Sequence, residues 1–96
     1  MDWTAAISSK HLASFVYDGH PRVVIPAACG VHVSTGNLVL RAYQIGGSSN
    51  TRAVPLWDLF LVDKIAAATM MSETFGDDPP LYRRNDRHMS EIYSQL

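Results

Sequence analysis

Arg41 and Tyr43 are the residues whose types and spacing most directly suggest chemistry. They stand two positions apart in an apolar segment, residues 38–45, and a glycine- and serine-rich segment, residues 46–50, follows. Because alternate residues of a β-strand share a face, we expect the guanidinium and the phenol ring to lie side by side. A guanidinium matches a phosphate group, an aromatic ring offers a face to a base, and successive loop N–H groups can hold an anion. A strand whose arginine only reaches solvent is the alternative.

The first predicted site extends from this pair into the loop. Its members are residues that can hydrogen bond to a ligand, approach it closely or stack on it: Arg41, Tyr43, Gln44, Gly47, Ser48, Ser49, Asn50 and Trp57. The Gly-Gly-Ser-Ser sequence is neither a dinucleotide nor an ATP fingerprint, so it predicts anion binding without identifying the ligand. Core packing is the alternative interpretation of Trp57.

A second basic cluster precedes the C-terminus. It consists of Arg83 and Arg84, with Arg87 and His88 close behind. At the start of a predicted helix such cations are unfavourable by about 0.3 to 1 kcal/mol each, so an anionic partner would offset that cost. If the tail packs back onto the protein, these arginines and Arg41 would converge on one anion. A solvated basic face is the alternative.

Catalytic and metal-binding patterns are weak. The histidines show no pair at metal-ligand spacing and the cysteine stands alone: His11, His20, His32, His88 and Cys29. Asp77 and Asp78 are adjacent in sequence and should point apart rather than share a proton. A nucleophilic Cys29 with His32 as its base would need an exposed thiol of low pKa, whereas an isolated cysteine in an apolar strand is usually buried. We therefore predict no enzyme activity, no metal site and no cofactor.

Composition limits the partners. The 96 residues carry eight Lys and Arg against nine Asp and Glu, a formal net charge of -1, which does not favour general nucleic-acid binding. Charged residues make up 18% of the chain and hydrophobic residues 47%, whereas about 25% is charged in an ordinary soluble domain. This apolar excess predicts a homo-oligomer. With one cysteine, no signal-peptide pattern and no apolar run of membrane length, we expect a cytoplasmic protein without membrane contact.

The elements that must position these residues are mainly strands. A short N-terminal helix is predicted with Asp2 or Thr4 as its cap. Alternating segments, separated by the hairpin signal Asp18-Gly19, the turn at residues 34–37 and a longer loop at residues 46–55, predict antiparallel strands. The second of them, residues 22–33, should bend or bulge at Pro26 and Gly30. Residues 66–74 fit either a last strand or a helical turn.

The tail is predicted to end in a helix. After an extended connector that includes Pro79 and Pro80, four apolar residues fall at helical spacing: Met89, Ile92, Tyr93 and Leu96. A helix of about ten residues is marginal in water, so its apolar stripe should dock on the barrel or on a neighbouring subunit. We accordingly divide the chain into a β-barrel domain, residues 1–76, and a connector with a C-terminal amphipathic helix, residues 77–96.

Residues 14–75, about two thirds of the chain, resemble the WYL domain, a small ligand-sensing module of bacterial transcription regulators. The similarity lies in the order and spacing of five short pieces: Phe15-Val16-Tyr17, Pro21-Arg22-Val23-Val24-Ile25-Pro26, Leu38-Val39-Leu40-Arg41-Ala42-Tyr43, Leu59-Phe60-Leu61-Val62-Asp63-Lys64-Ile65 and Glu73-Thr74-Phe75. The sequence departs from the family where Ile25 replaces an acid and where Leu38-Val39-Leu40 replaces the tryptophan-tyrosine-leucine triplet. No helix-turn-helix pattern precedes the strands.

The resemblance implies a five-stranded SH3-like or Sm-like antiparallel β-barrel that binds a nucleotide, an oligonucleotide or another phosphate-bearing ligand. We therefore predict sensing or sequestration of a nucleotide-like small molecule without catalysis, and a nucleotide second messenger of bacterial or phage immunity would fit. The alternative is a protein-interaction module that uses its apolar face and tail helix and binds no small ligand.

Overall fold

A short helix, α1, begins the fold. In the computed structural model, which describes residues 1–49 and 53–96, α1 spans Trp3–Ser9. Asp2 is its cap, because the Asp2 carboxylate accepts a hydrogen bond of 3.0 Å from the Ala5 N–H. The apolar side of α1 is buried against the strands. The predicted N-terminal helix is confirmed, with Asp2 rather than Thr4 as the cap.

Six antiparallel strands make up most of the described chain, so the mainly β prediction is confirmed. They are β1 His11–Tyr17, β2 His20–His32, β3 Leu38–Gly47, β4 Leu56–Leu61, β5 Ala66–Thr74 and β6 Met89–Gln95. Five strands lie in the order β4-β3-β2-β1-β5, and β6 pairs with β2. A 3-10 helix, Val62–Lys64, separates β4 from β5. Residues 66–74, which the sequence left open, are therefore a strand.

The predicted hairpin and the predicted irregular strand are both present. Asp18 and Gly19 have φ angles of 51° and 74°, the left-handed pair that a tight two-residue hairpin requires. β2 runs for 13 residues, and its register with β3 shifts between Pro26 and Ala28. Its first half pairs with β1 and its second half with β6. One long strand thus joins the N-terminal hairpin to the tail.

The predicted C-terminal helix is wrong, because residues 89–95 form strand β6. The register explains why the apolar residues of this strand fall at helical spacing: Met89 pairs with His32 and Ile92 with Gly30. One bulge on β6, between Met89 and Glu91, absorbs an extra residue between these pairs, so a spacing of three in β6 matches a spacing of two in β2. Pairing with β2 gives the backbone N–H and C=O groups of the tail stable hydrogen-bond partners. An isolated helix of this length would be only marginally stable in water.

The two faces of the sheet carry separate apolar clusters. The inner face packs against α1 and holds the larger cluster, which includes Phe15, Leu40 and Phe60. The opposite face, here called the outer face, holds a smaller cluster around Val39 and Met89. Because side chains alternate along β3, Arg41 lies on the outer face with Val39. In the described part of the chain, no helix has the length and apolar character that crossing a membrane requires.

Candidate functional site: an arginine-lined cavity

The connector before β6 crosses the outer face of β3 and β4, and Trp57 is its first point of attachment. The Trp57 indole N–H donates a hydrogen bond of 2.7 Å to the Pro80 carbonyl. The Trp57 ring also stacks on the Tyr82 ring, with centroids 6.2 Å apart and planes 27° apart. Both contacts need a flat, amphipathic side chain at this position. They fix residues 80–82 over β4.

An ion pair between Arg41 and Asp86 is the second attachment. The Arg41 Nε–H donates to Asp86 Oδ2 at 2.7 Å, and only 21% of the arginine side chain and 10% of the aspartate side chain are exposed. Burial raises the pKa of the Asp86 carboxyl, but hydrogen bonds from the Arg41 side chain and the His88 backbone N–H outweigh burial, so the pKa is lowered. Asp86 is therefore a carboxylate at neutral pH.

His88 joins the same network. Its Nδ1 atom lies 3.2 Å from Asp86 Oδ1 and 3.1 Å from Arg41 Nη2. The His88 backbone N–H donates to Asp86 Oδ1 at 2.9 Å, which turns the chain toward β6. Asp86 thus holds both the arginine of β3 and the backbone that leads into the last strand.

Side chains near the C-terminus hold the other end of the connector. The Tyr82 hydroxyl donates to the Leu96 carbonyl at 3.0 Å. The Asn85 N–H donates to Gln95 Oε1 at 2.8 Å, and Gln95 Nε2 donates back to Asn85 Oδ1 at 3.2 Å. Burial raises the pKa of the Tyr82 phenol, although Arg84 opposes this effect. Tyr82 consequently stays neutral and keeps its hydrogen bond.

The connector and the outer face enclose a partly open cavity of about 560 Å³. It is lined by residues from β3, β4 and the connector: Arg41, Trp57, Leu81, Tyr82, Arg83, Arg84, Asn85, Asp86, Arg87 and His88. Four of the eight Lys and Arg residues of the chain are in this lining. The structure therefore brings Arg41, Arg83 and Arg84 together, and Trp57 with them.

Tyr43 supports this site from behind. It pairs with Trp57 in the β3–β4 register, and the two ring centroids are 5.2 Å apart. Tyr43 is not among the cavity-lining residues, so it orders the Trp57 ring rather than facing the cavity. Arg41 and Tyr43 share a face of β3, as the alternation predicted.

Gln44 lies away from the cavity, because it shares the inner face of β3 with Leu40 and Ala42. Its side chain is fully buried. Gln44 Oε1 accepts from Arg22 Nη1 at 3.2 Å, and Gln44 Nε2 donates to the carbonyls of Gly46 and Ser48. Arg22, only 3% exposed, lies with its guanidinium carbon 5.6 Å from the ring centroids of Tyr17 and Phe60. Gln44 is thus a core residue that shapes the start of the loop.

The glycine–serine segment is also away from the cavity. Gly47 has a φ of +82°, and a Cβ there would overlap the Pro21 carbonyl oxygen. The Ser48 N–H donates to that same carbonyl at 3.0 Å, and the Ser48 hydroxyl lies 2.8 Å from His20 Nδ1. Ser49 does not line the cavity either, and Asn50 lies outside the described residues. Gly47 and Ser48 thus lie against the β1–β2 hairpin instead of meeting Arg41.

Sequence reasoning missed Leu81, Tyr82 and Asp86 as parts of the site. Leu81 is 90% exposed at the cavity rim and has a φ of +64°, a left-handed conformation that leucine seldom adopts. The prediction of a C-terminal helix suggests only an N-cap role for Asp86 and gives no sign of its pairing with Arg41. The available signal was the Tyr-Arg-Arg sequence at residues 82–84, where an aromatic ring precedes two guanidinium groups.

Comparisons of this chain with protein-family models, with curated proteins and with solved structures give no match. Within residues 1–49 and 53–96, no three His, Cys, Asp or Glu side chains are grouped as a metal ion would require. The chemical character of the cavity is therefore that of its arginines and aromatic rings.

Proposed function

We propose that this protein binds a nucleotide-like, phosphate-bearing small molecule without transforming it, and so senses or sequesters that molecule. The observation that carries the proposal is the cavity in which four arginines lie beside the stacked rings of Trp57 and Tyr82. Guanidinium groups recognise phosphate oxygens through paired hydrogen bonds, and aromatic faces accept a base. Both halves of a nucleotide would find matching chemistry in one cavity.

The arginines differ in availability. Arg41 is already engaged by Asp86, so it supports the site and offers only its remaining N–H groups. Arg83, Arg84 and Arg87 are exposed, and none of them has an acidic partner within 4.0 Å in the part of the chain that the structure describes. These three guanidinium groups are the primary phosphate contacts in our proposal.

Binding without catalysis follows from the state of the reactive groups. Both carboxylate oxygens of Asp86 accept hydrogen bonds, which leaves this carboxylate poorly suited to act as a base. Burial raises the pKa of the Cys29 thiol, so Cys29 is a weak nucleophile inside the core. We accordingly propose a non-enzymatic site that needs neither a metal ion nor a cofactor.

We further propose that the chain is a cytoplasmic, WYL-like domain whose strands close into an SH3-like or Sm-like barrel. The support for a barrel is the strand order β4-β3-β2-β1-β5 and the long, irregular strand β2. Along the edge that does not pair with β3, β2 pairs first with β1 and then with β6. The ligand would then be a nucleotide signal of the kind used in bacterial or phage immunity. The connector that leads into strand β6, rather than a helix, completes the ligand site in this proposal.

Melting curves with a panel of nucleotides test the function. A ligand at a hundredfold excess over its dissociation constant should stabilise the folded protein by about 2.7 kcal/mol. Arg84→Ala should reduce that stabilisation, whereas the matched control Lys64→Ala, an exposed cation outside the cavity, should preserve it. Ligand binding should also weaken with added salt. Indifference to every nucleotide would reject the proposal and favour a protein-interaction module.

Homo-oligomerisation is a separate proposal, now without a tail helix to mediate it. Met89, Ile92 and Leu96 pack against this chain's own clusters, and Tyr93 is the member of these four apolar tail residues that stays largely exposed. Other large apolar residues are also exposed: Met1, Val16, Val33, Leu38, Ile45 and Leu81. Sedimentation at micromolar concentration should show a species larger than 10.6 kDa, and a monomer would contradict the proposal.

A further inference from the structure

The cavity carries an unbalanced charge. In the described part of the chain its lining holds four arginines and one aspartate, an excess of three positive charges when His88 is neutral. Arg83, Arg84 and Arg87 lie within five residues of one another and repel each other electrostatically. A bound anion of similar magnitude would relieve this repulsion. The charge of the ligand is therefore restricted by the site.

Charge matching separates the classes of nucleotide. A terminal phosphate carries about -1.5 to -2 charges at pH 7, and each bridging phosphate adds about one more. A nucleoside diphosphate or triphosphate thus supplies about three or four negative charges. A cyclic monophosphate supplies about one, and a cyclic dinucleotide about two. Only the linear polyphosphates offset the excess charge of this cavity.

The cavity also suits the shape of such a ligand. Its volume of about 560 Å³ falls within the common range for small-molecule pockets, about 300 to 1,000 Å³. Trp57 and Tyr82 form a stacked aromatic wall in the lining, and the exposed Leu81 also lines the cavity. Guanidinium groups follow Tyr82 directly along the chain. A base on the aromatic wall would therefore lead its phosphates toward Arg83 and Arg84.

The same residues indicate whether the bound phosphates carry a magnesium ion. Asp86 is the one carboxylate in the described lining, and Arg41 and the His88 N–H already occupy its oxygens. A magnesium ion bound to the phosphates would find no acidic ligand here and would cancel the charge that the arginines require. The site should thus prefer the metal-free polyphosphate.

We propose, on the basis of the function proposed above, that the cavity selects linear nucleoside diphosphates and triphosphates in their metal-free form. Arg83, Arg84 and Arg87 bind the phosphate chain, and Trp57, Tyr82 and Leu81 contact the nucleoside.

Titration calorimetry in low salt with EDTA tests the selection. The probes are AMP, ADP, ATP, cyclic AMP, a cyclic dinucleotide and inorganic tripolyphosphate. Affinity should rise about tenfold with each phosphate from AMP to ATP, because each step adds charge-assisted hydrogen bonds. Excess magnesium should lower ATP affinity, and tripolyphosphate should bind more weakly than ATP. Arg84→Ala should flatten the AMP-to-ATP series, and Lys64→Ala should leave it unchanged.

The possible failures are distinguishable. If AMP or a cyclic nucleotide binds as tightly as ATP, the selection for polyphosphates is wrong while nucleotide binding stands. If tripolyphosphate matches ATP, the nucleoside contacts are wrong. Tighter ATP binding with magnesium would contradict the metal-free form. If no probe binds, the proposed function and this inference both fail.

Discussion

Removing the Asp86 carboxylate should destabilise the whole fold, because this one side chain anchors the connector to β3. Asp86→Ala loses the 2.7 Å hydrogen bond from Arg41 and the 2.9 Å hydrogen bond from the His88 N–H. A hydrogen bond to a charged group contributes about 1.5 to 3 kcal/mol, and the loss also leaves a largely buried guanidinium unpaired. Two such bonds would contribute about 3 to 6 kcal/mol if fully buried, and solvent screening at the partly exposed Arg41 and His88 reduces this, so we expect the free energy of unfolding at pH 7 to fall by about 2 to 3 kcal/mol. In a domain of this size each kcal/mol lowers Tm by about 4 to 8 °C.

The effect should depend on pH with a definite sign. The folded-state pKa of Asp86 is lowered, so its contribution to stability is complete above the unfolded value of about 3.9 and is lost as the pH falls through the folded pKa. The difference in stability between the wild type and Asp86→Ala in urea unfolding should therefore be full at pH 7 and should shrink as the pH falls below about 3.9. Asp77→Ala, an exposed carboxylate outside the cavity, is the matched control and should be neutral.

A double-mutant cycle isolates the pair. Arg41→Ala, Asp86→Ala and the double variant should reveal a coupling energy of about 0.5 to 3 kcal/mol, as residues in direct contact do. An arginine that only binds a ligand or reaches solvent could be replaced by alanine with almost no change in stability, whereas the ion pair with Asp86 predicts that Arg41→Ala destabilises the fold. A coupling energy near zero, or a difference between wild type and Asp86→Ala that persists unchanged at pH 3, would refute this account of the connector.

Two further predictions concern the strands that position the site. Gly47→Ala should destabilise the protein by about 1 to 3 kcal/mol in urea unfolding, because φ is positive and the added methyl group would overlap the Pro21 carbonyl. The control Gly76→Ala, where a Cβ meets open space, should change stability by less than about 0.5 kcal/mol. Equal effects of the two substitutions would contradict this prediction. Met89→Ala should lower the free energy of unfolding by about 2 to 5 kcal/mol, because Met89 is buried in the outer-face cluster. Glu91→Ala, at an exposed position of the same strand, is its control. If Met89→Ala left stability unchanged, β6 would not be packed as described.

Local sequence signals were sufficient to predict α1 and the first hairpin. Asp2 precedes α1 because its carboxylate can cap the first turn, and Asp18-Gly19 makes a hairpin because both residues tolerate positive φ. Alternation along residues 38–45 correctly placed Arg41 and Tyr43 on one face of β3. The proposal that the tail arginines converge with Arg41 also came from the sequence, conditional on how the tail packs.

The strand conformation of the tail and the set of residues that line the cavity depend on long-range pairing. A spacing of three between Met89 and Ile92 fits one face of a helix and fits a bulged strand equally well. The strand forms because β6 provides hydrogen-bond partners for the backbone groups in the second half of β2. The same long-range pairing carries Asp86 to Arg41 and Tyr82 to Trp57, across 45 and 25 positions of sequence. No local pattern encodes such contacts, because they form only when the strands pair.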